Sequence, residues 1–88
     1  MGNSMGALSQ LPNIGADTER LLNEVGITTF ACLQKEGSRN AWLKIRAIDP
    51  SACLHRLCGI EGAIQGVRKK DLPETVKTEL KEFYNSWK

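Results

Sequence analysis

The sequence has no long hydrophobic run, and this absence argues against a membrane-spanning helix. Such a helix needs a stretch of roughly 18 or more apolar residues. The first residues also lack the basic start and apolar middle of a secretory signal. The sequence therefore predicts a cytoplasmic protein that has no membrane partner.

Residues for catalysis or metal binding are also scarce. The chain has one histidine, no glycine-rich loop followed by lysine, and no serine or cysteine beside an evident base. Cys53, His55 and Cys58 could supply three metal ligands, but a CxxC pair and a fourth ligand are missing. We therefore predict no catalytic residue, metal, cofactor or small-molecule substrate, and interpret the protein as a non-enzymatic binding module.

The three cysteines match no disulfide framework, which is typical of a reducing compartment. Cysteine then behaves as a small buried hydrophobe, so we expect Cys32, Cys53 and Cys58 to lie in the core. We also expect His55 to be a partly buried packing residue.

No stretch alternates between apolar and polar residues over the length of a strand, and apolar residues recur instead at helical spacing. The predicted fold is all-α, a compact bundle of about five short helices. The predicted segments are a short turn at 7–11 and helices at 16–25, 29–37, 39–48, 49–67 and 73–87. Residues 7–88 are predicted to form one domain, and residues 1–6 a flexible tail or a cloning remnant.

The segment 49–67 is predicted to be the central helix. Asp49 and Pro50 are typical of a helix start, as N-cap and first helical residue. Its apolar stripe consists of Cys53, Leu57, Ile60, Ile64 and Val67. Gly59, Gly62 and Gly66 each cost about 1 kcal/mol relative to alanine in a helix, so we expect another helix to cross closely over them. Alternatively, residues 59–62 break the helix into a second hairpin.

The five residues Leu11-Pro12-Asn13-Ile14-Gly15, which we call the LPNIG loop, carry the functional signal. Exposed amides at the start of a helix can bind a phosphate oxygen, so Asn13, Gly15 and Ala16 are candidates for DNA-backbone contact. Alternatively, the loop only turns the chain and packs two helices together.

A second candidate is the basic turn, defined as Arg68, Lys69 and Lys70. Residues 41–88 hold nine basic and six acidic side chains, against three basic and four acidic in residues 1–40. The basic turn can add charge toward DNA phosphates, or it can be a solvated helix end where cations complement the helix dipole.

Four stretches together resemble a known family: LPNIG, LLNEVGITT, LxxLxGIEGAIQGVR and DLPExxKxEL. The loop and the helix after it resemble the helix-hairpin-helix element of DNA repair proteins. The whole set is similar to the C-terminal domain of the TfoX (Sxy) family of bacterial competence regulators, in its stand-alone form. The resemblance implies a helical regulatory domain, whereas competence activity belongs to members that also carry an N-terminal domain.

The chain departs from the helix-hairpin-helix pattern where DNA would bind. Asn13 stands in place of the first hairpin glycine, and the acidic residues Asp17 and Glu19 follow where a basic residue is usual. Acidic side chains repel phosphates by several kcal/mol before screening. We therefore predict weak, sequence-independent DNA binding that depends mainly on the basic turn.

The alternative prediction is a protein-interaction or dimerisation module without nucleic-acid contact. Its partner would be a protein regulator or a second copy of the chain. The candidate surface consists of the apolar side chains Trp42, Phe83 and Trp87, which we expect to be exposed.

Overall fold

A computed structural model describes residues 8–87 of the chain. Within this range the elements are α1 (Ala16–Glu24), α2 (Phe30–Ile48), α3 (Leu54–Gln65) and α4 (Glu74–Trp87), with a 3-10 turn (Lys69–Asp71) before α4. No strand occurs among these residues, so the all-α prediction is confirmed. None of the helices described is long and apolar enough to cross a membrane. The tail predicted at residues 1–6 lies outside the described range.

The number of helices differs from the prediction of about five. Gly37 has non-helical angles within α2, with a φ of 82° and a ψ of 157° in a region almost reserved for glycine, so the helical geometry is interrupted where the sequence predicts a helix end. The two predicted segments on either side of Gly37 therefore form one kinked helix. The segment before Pro12 forms a single turn closed by the Leu11 amide and the Leu8 carbonyl at 2.9 Å. The part of the chain that the structure describes therefore has four α-helices.

Helix α3 lies at the centre of the fold and contacts α2, α4 and the 3-10 turn. Its side chains Leu57, Ile60 and Ala63 are fully buried, as the apolar stripe predicts for the first two. Removing such apolar surface from water is the main force that holds the helices together. The stripe fits less well at its ends, because Cys53 is exposed and Val67 is only partly buried.

The predicted helix start at Asp49 is wrong. Asp49 ends α2, and its Oδ1 accepts hydrogen bonds from the Ser51 amide at 3.0 Å and the Ser51 hydroxyl at 2.6 Å. The carboxylate thus closes a local turn, which competes with capping a helix. The turn leads to the buried Ala52, and α3 begins at Leu54 with Cys53 as its N-cap.

Helix α3 is unbroken at residues 59–62, so the alternative of a second hairpin is wrong. The prediction that another helix crosses closely over its glycines is also wrong, because their nearest described neighbours lie in loops and turns. The neighbour of Gly59 and Gly62 is Asn13 of the LPNIG loop, whereas an added Cβ at Gly66 would meet no atom within 4 Å. A Cβ added at Gly59 would lie 3.4 Å from Asn13 Cβ. A Cβ added at Gly62 would lie 2.5 Å from Asn13 Nδ2 and 2.8 Å from the Val67 carbonyl oxygen. The absent side chains therefore make room for a loop.

Glu19 holds the segment before the loop against α1. Its side chain is buried at 5 % exposure, and its Oε2 accepts hydrogen bonds from the amides of Leu8 at 3.0 Å and Ser9 at 3.3 Å. Charged acceptors form stronger hydrogen bonds than neutral ones. This acidic residue therefore supports the fold rather than facing a phosphate at the surface.

Candidate nucleic-acid interface

Asn13 joins the LPNIG loop to the far end of α3. Its Nδ2 donates to the carbonyl oxygens of Val67 at 3.0 Å and Gly59 at 3.4 Å, and its Oδ1 accepts from the Lys69 amide at 3.0 Å. We call this set of hydrogen bonds the Asn13 clamp. Asn13 has a positive φ of 68°, which asparagine tolerates better than most residues. The clamp places the loop directly beside the basic turn.

Gly15 and Ala16 begin α1 as predicted, but Gly15 does not need to be glycine for its backbone angles. Gly15 is the N-cap with an extended φ of −93°, and an added Cβ would meet no atom within 4 Å. The position that requires an unusual φ is Asn13 instead. Both Gly15 and Ala16 are exposed, so the start of α1 faces solvent.

The acidic residue Asp17 near this helix start is paired with two arginines. Its Oδ1 accepts from Arg20 at 2.9 Å, and its Oδ2 accepts from Arg56 of α3 at 3.3 Å. The hydrogen bond from Arg20, followed by that from Arg56, lowers the pKa of Asp17 below its ordinary value of 3.8. Arg56 also donates to Thr18 Oγ1 at 2.7 Å. The repulsion predicted between Asp17 and a phosphate is thus offset by neighbouring positive charge.

All three residues of the basic turn are exposed. The Lys69 amide belongs to the Asn13 clamp, and the Lys70 carbonyl accepts a hydrogen bond from Lys77 Nζ of α4 at 2.9 Å. The basic turn is therefore held between the LPNIG loop and α4. Of the two sequence-predicted DNA-contact groups, the structure brings Asn13 of the first next to Lys69 of the second.

A cavity of about 360 Å³ lies between α3, the basic turn and α4. Leu54 and Cys58 of α3 line it together with the lysines Lys69, Lys70, Lys77 and Lys81. His55 also lines this cavity and is exposed, which corrects the prediction of a partly buried packing residue. We call this site the lysine cavity.

The sequence contains a signal that groups two lysines of α4 on one side of that helix. Lys77 and Lys81 are four residues apart, so they lie on the same side of a helix. The sequence does not show that this side faces the basic turn, because that depends on how α3 and α4 pack.

The three candidate interaction residues differ in exposure. The prediction that Trp42 is exposed is wrong, because the residue is 0 % exposed and its Nε1 donates to the Cys53 carbonyl at 3.2 Å. It lies edge-on to Phe83 and Tyr84, with ring centroids 6.0 and 5.7 Å away. Phe83 is partly buried, whereas Trp87 is 46 % exposed. The apolar spacing of α2 groups Trp42 with Ala41 and Ile45, which are also fully buried, and this spacing fits a core stripe as well as a surface stripe.

The cysteines and the histidine do not form a metal site among the described residues. All three cysteines are free thiols, and Cys53 is exposed rather than buried as predicted. Cys32 and Cys58 are partly buried, and burial raises the pKa of the Cys58 thiol. A raised pKa leaves less of the reactive thiolate at neutral pH.

The fold and this surface define a small helical domain with a basic face beside its N-terminal loop. The chain belongs to the TfoX C-terminal domain family, whose model matches residues 4–84. It is 33 % identical over 84 residues to Protein Sxy of Escherichia coli (strain K12), and the match covers 96 % of this chain and 40 % of that protein. The chain thus spans less than half the length of this curated relative.

Two crystal structures of proteins from Listeria monocytogenes share the fold. An uncharacterized protein in a triclinic crystal form has a TM-score of 0.89 and 46 % identity, over 90 % of each chain. A protein of unknown function in a tetragonal form has a TM-score of 0.88 and 44 % identity, over 91 % of this chain and 99 % of that one.

Proposed function

We propose that this domain is a non-enzymatic, cytoplasmic regulatory module, related to bacterial competence regulators, that contacts the DNA backbone weakly and without sequence preference. The observation that carries the proposal is the position of the basic turn. The Asn13 clamp ties the backbone of Lys69, in the exposed basic turn, to the loop that leads into the exposed helix start at Gly15 and Ala16. Cations and helix N-termini both attract phosphates.

The charge around this surface supports a weak contact with phosphates rather than with bases. Asp17 is paired with Arg20 and Arg56, so it opposes an approaching phosphate less than an unpaired carboxylate would. No long side chain of the LPNIG loop is free to read a base edge, because the Asn13 amide is held in the clamp. Backbone contacts alone carry no sequence information.

The test is fluorescence anisotropy with two short duplexes of unrelated sequence, each titrated at low and moderate salt. We expect equal, weak affinities for both duplexes and a loss of affinity as salt rises. Changing Lys69 and Lys70 to alanine together should weaken binding to both duplexes and reduce the salt slope by about 2.

Lys35→Ala is the matched control, since it removes one exposed lysine from α2 and should leave affinity close to that of the wild type. Absence of binding at low salt would refute the proposal. A preference for one duplex would refute the backbone-only mode.

The alternative function is a protein-interaction module, which the exposed Trp87 favours. Trp87 is 46 % exposed at the end of α4, and with Leu43, Arg46 and Ala47 of α2 it lines a cavity of about 280 Å³. Exposed tryptophans are enriched in the energetic centres of interfaces. If this surface forms a homodimer, light scattering will detect a dimer in the wild type and a monomer in Trp87→Ser.

A further inference from the structure

The lysine cavity differs from the rest of the basic surface because it is both concave and apolar inside. Leu54 and Cys58 supply apolar surface, and both are partly buried against the core. Its volume of about 360 Å³ is at the small end of the range for ligand pockets, roughly 300–1,000 Å³. A phosphate on a duplex surface does not need such a cavity.

The positive charge around this cavity is concentrated. Four lysines line it, and none of the described lining residues is acidic. Lys77 is fixed by its hydrogen bond to the Lys70 carbonyl, and its nearest ion-pair partner, Glu74, is 3.7 Å away and almost fully solvent-exposed. Positive charges around one cavity repel one another, and a ligand that carries several negative charges relieves that repulsion.

The apolar lining decides which kind of anion fits. Phe, Tyr and Trp are absent from the described lining residues, so His55 is the one described side chain there on which a base could stack. Leu54, Cys58 and the methylene groups of the lysines instead suit an aliphatic side chain.

We propose that the lysine cavity binds an acidic peptide segment of a protein partner. One or two aliphatic side chains of the peptide enter between Leu54 and Cys58, and the flanking carboxylates contact the lysines. Opposite charges make such an interface specific, and burial of the aliphatic group adds affinity. This inference goes beyond the proposed DNA contact and does not depend on it.

The peptide and the DNA sites overlap but are separable. Lys69 and Lys70 belong to both, Lys77 and Lys81 line the lysine cavity, and Arg68 belongs to the basic turn outside the cavity. Peptide and duplex should therefore compete, whereas substitutions at Lys81 and Arg68 should separate the two activities.

The first experiment measures binding of a fluorescein-labelled peptide, EDDLLDDE, to the full chain by anisotropy. Two control peptides separate the contributions: EDDSSDDE keeps the charge without the apolar residues, and QNNLLNNQ keeps the apolar residues without the charge. We expect EDDLLDDE to bind about tenfold more tightly than either control. Equal binding of EDDLLDDE and EDDSSDDE would show that the apolar lining is not used and would overturn the proposal.

Two variants then locate the peptide. Lys81→Glu, at an exposed position of α4, should weaken EDDLLDDE binding at least tenfold, whereas Arg68→Ala should leave it within about twofold of the wild type. Duplex binding should respond more strongly to Arg68→Ala than to neutral Lys81→Ala. In the wild type, peptide binding without any duplex binding would refute the DNA proposal alone, and duplex binding without peptide binding would refute this inference alone.

Alkylation of the cysteines gives an independent readout. Cys58 lines the lysine cavity, whereas the exposed Cys53 lines an adjoining cavity of about 210 Å³ and serves as the internal control. Iodoacetamide labelling, followed by mass spectrometry, should slow at Cys58 and not at Cys53 when EDDLLDDE saturates the protein. Unchanged labelling of Cys58 would contradict the proposal. Stronger protection by a single-stranded oligothymidylate than by the peptide would identify nucleic acid as the occupant and also overturn it.

Discussion

Replacing Gly62 with alanine tests whether α3 needs a glycine at this position so that the LPNIG loop can pack against it. By helix propensity alone, alanine should stabilise a helix interior by about 1 kcal/mol. In this fold the added Cβ would lie 2.5 Å from Asn13 Nδ2 and 2.8 Å from the Val67 carbonyl oxygen. Real Cβ atoms do not approach that closely, so the loop or the segment after α3 must move.

The cost follows from the hydrogen bonds that this movement breaks. Asn13 would have to withdraw from Gly59, Val67 and Lys69, and each hydrogen bond contributes about 1 kcal/mol net. After the propensity gain, Gly62→Ala should lower the free energy of unfolding by about 2 kcal/mol. For a domain of this size, the melting temperature should fall by roughly 8–16 °C.

Gly59→Ala is the matched control, in the same helix and one turn earlier. Its Cβ would lie 3.4 Å from Asn13 Cβ and 3.6 Å from the Asn13 carbonyl oxygen, which are ordinary van der Waals distances. This variant should therefore keep most of the propensity gain and be up to about 1 kcal/mol more stable than the wild type. Urea denaturation followed by far-ultraviolet circular dichroism measures both changes. If Gly62→Ala is as stable as the wild type, the reasoning about the clamp is wrong.

Three other substitutions test separate features. Gly37→Ala should lose about 1–3 kcal/mol of stability in the same urea assay, because φ of 82° with ψ of 157° strains any side chain, and an unchanged midpoint would contradict the kink. Asn13→Gly keeps the positive φ but removes the three side-chain hydrogen bonds, so it should lose about 3 kcal/mol; stability equal to the wild type would mean that the clamp contributes nothing. The pKa of Asp17 is lowered in the fold, chiefly by Arg20, so its stabilising contribution is present above pH 3.8 and is lost as pH falls through the lowered value. The stability advantage of wild type over Asp17→Asn should therefore shrink between neutral and strongly acidic pH, and an advantage that grows on acidification would contradict this sign.

Features set by neighbouring residues were predictable from the sequence. Thr29 caps α2 by accepting a hydrogen bond from the Cys32 amide at 3.1 Å, in agreement with the helix predicted to start at residue 29. Gly66 ends α3 with left-handed angles, near the predicted end of the central helix. Such signals depend on residues only a few positions apart, so a sequence pattern contains them.

Features set by distant residues were not predictable in the same way. The sequence shows Asn13 and the glycines of α3, but not that they meet across 46 positions. Likewise, the helical spacing of Trp42 fits either a surface stripe or a core stripe, and only the packing of α4 against it decides in favour of the core. Asp49 is an intermediate case, because a turn and a helix start use the same carboxylate acceptor.

Predicting the lysine cavity requires both the local spacing of residues along α4 and the packing of residues that are distant in the sequence. Helical periodicity places Lys77 and Lys81 on one side of α4, which the sequence contains. Their position opposite Leu54 and Cys58 depends on the turn between α3 and α4. Charge composition alone could therefore indicate a basic half of the chain, but not a cavity within it.

The hydrogen bond between the Lys69 amide and Asn13 Oδ1 joins residues 56 positions apart, and this has a consequence for nuclear magnetic resonance titrations. The chemical shift of the Lys69 amide reports on the LPNIG loop as well as on its own surroundings. A ligand that moves only Asn13 will shift the Lys69 signal without touching Lys69. Contact maps for DNA or peptide should therefore rely on the side-chain signals of the lysines rather than on that amide.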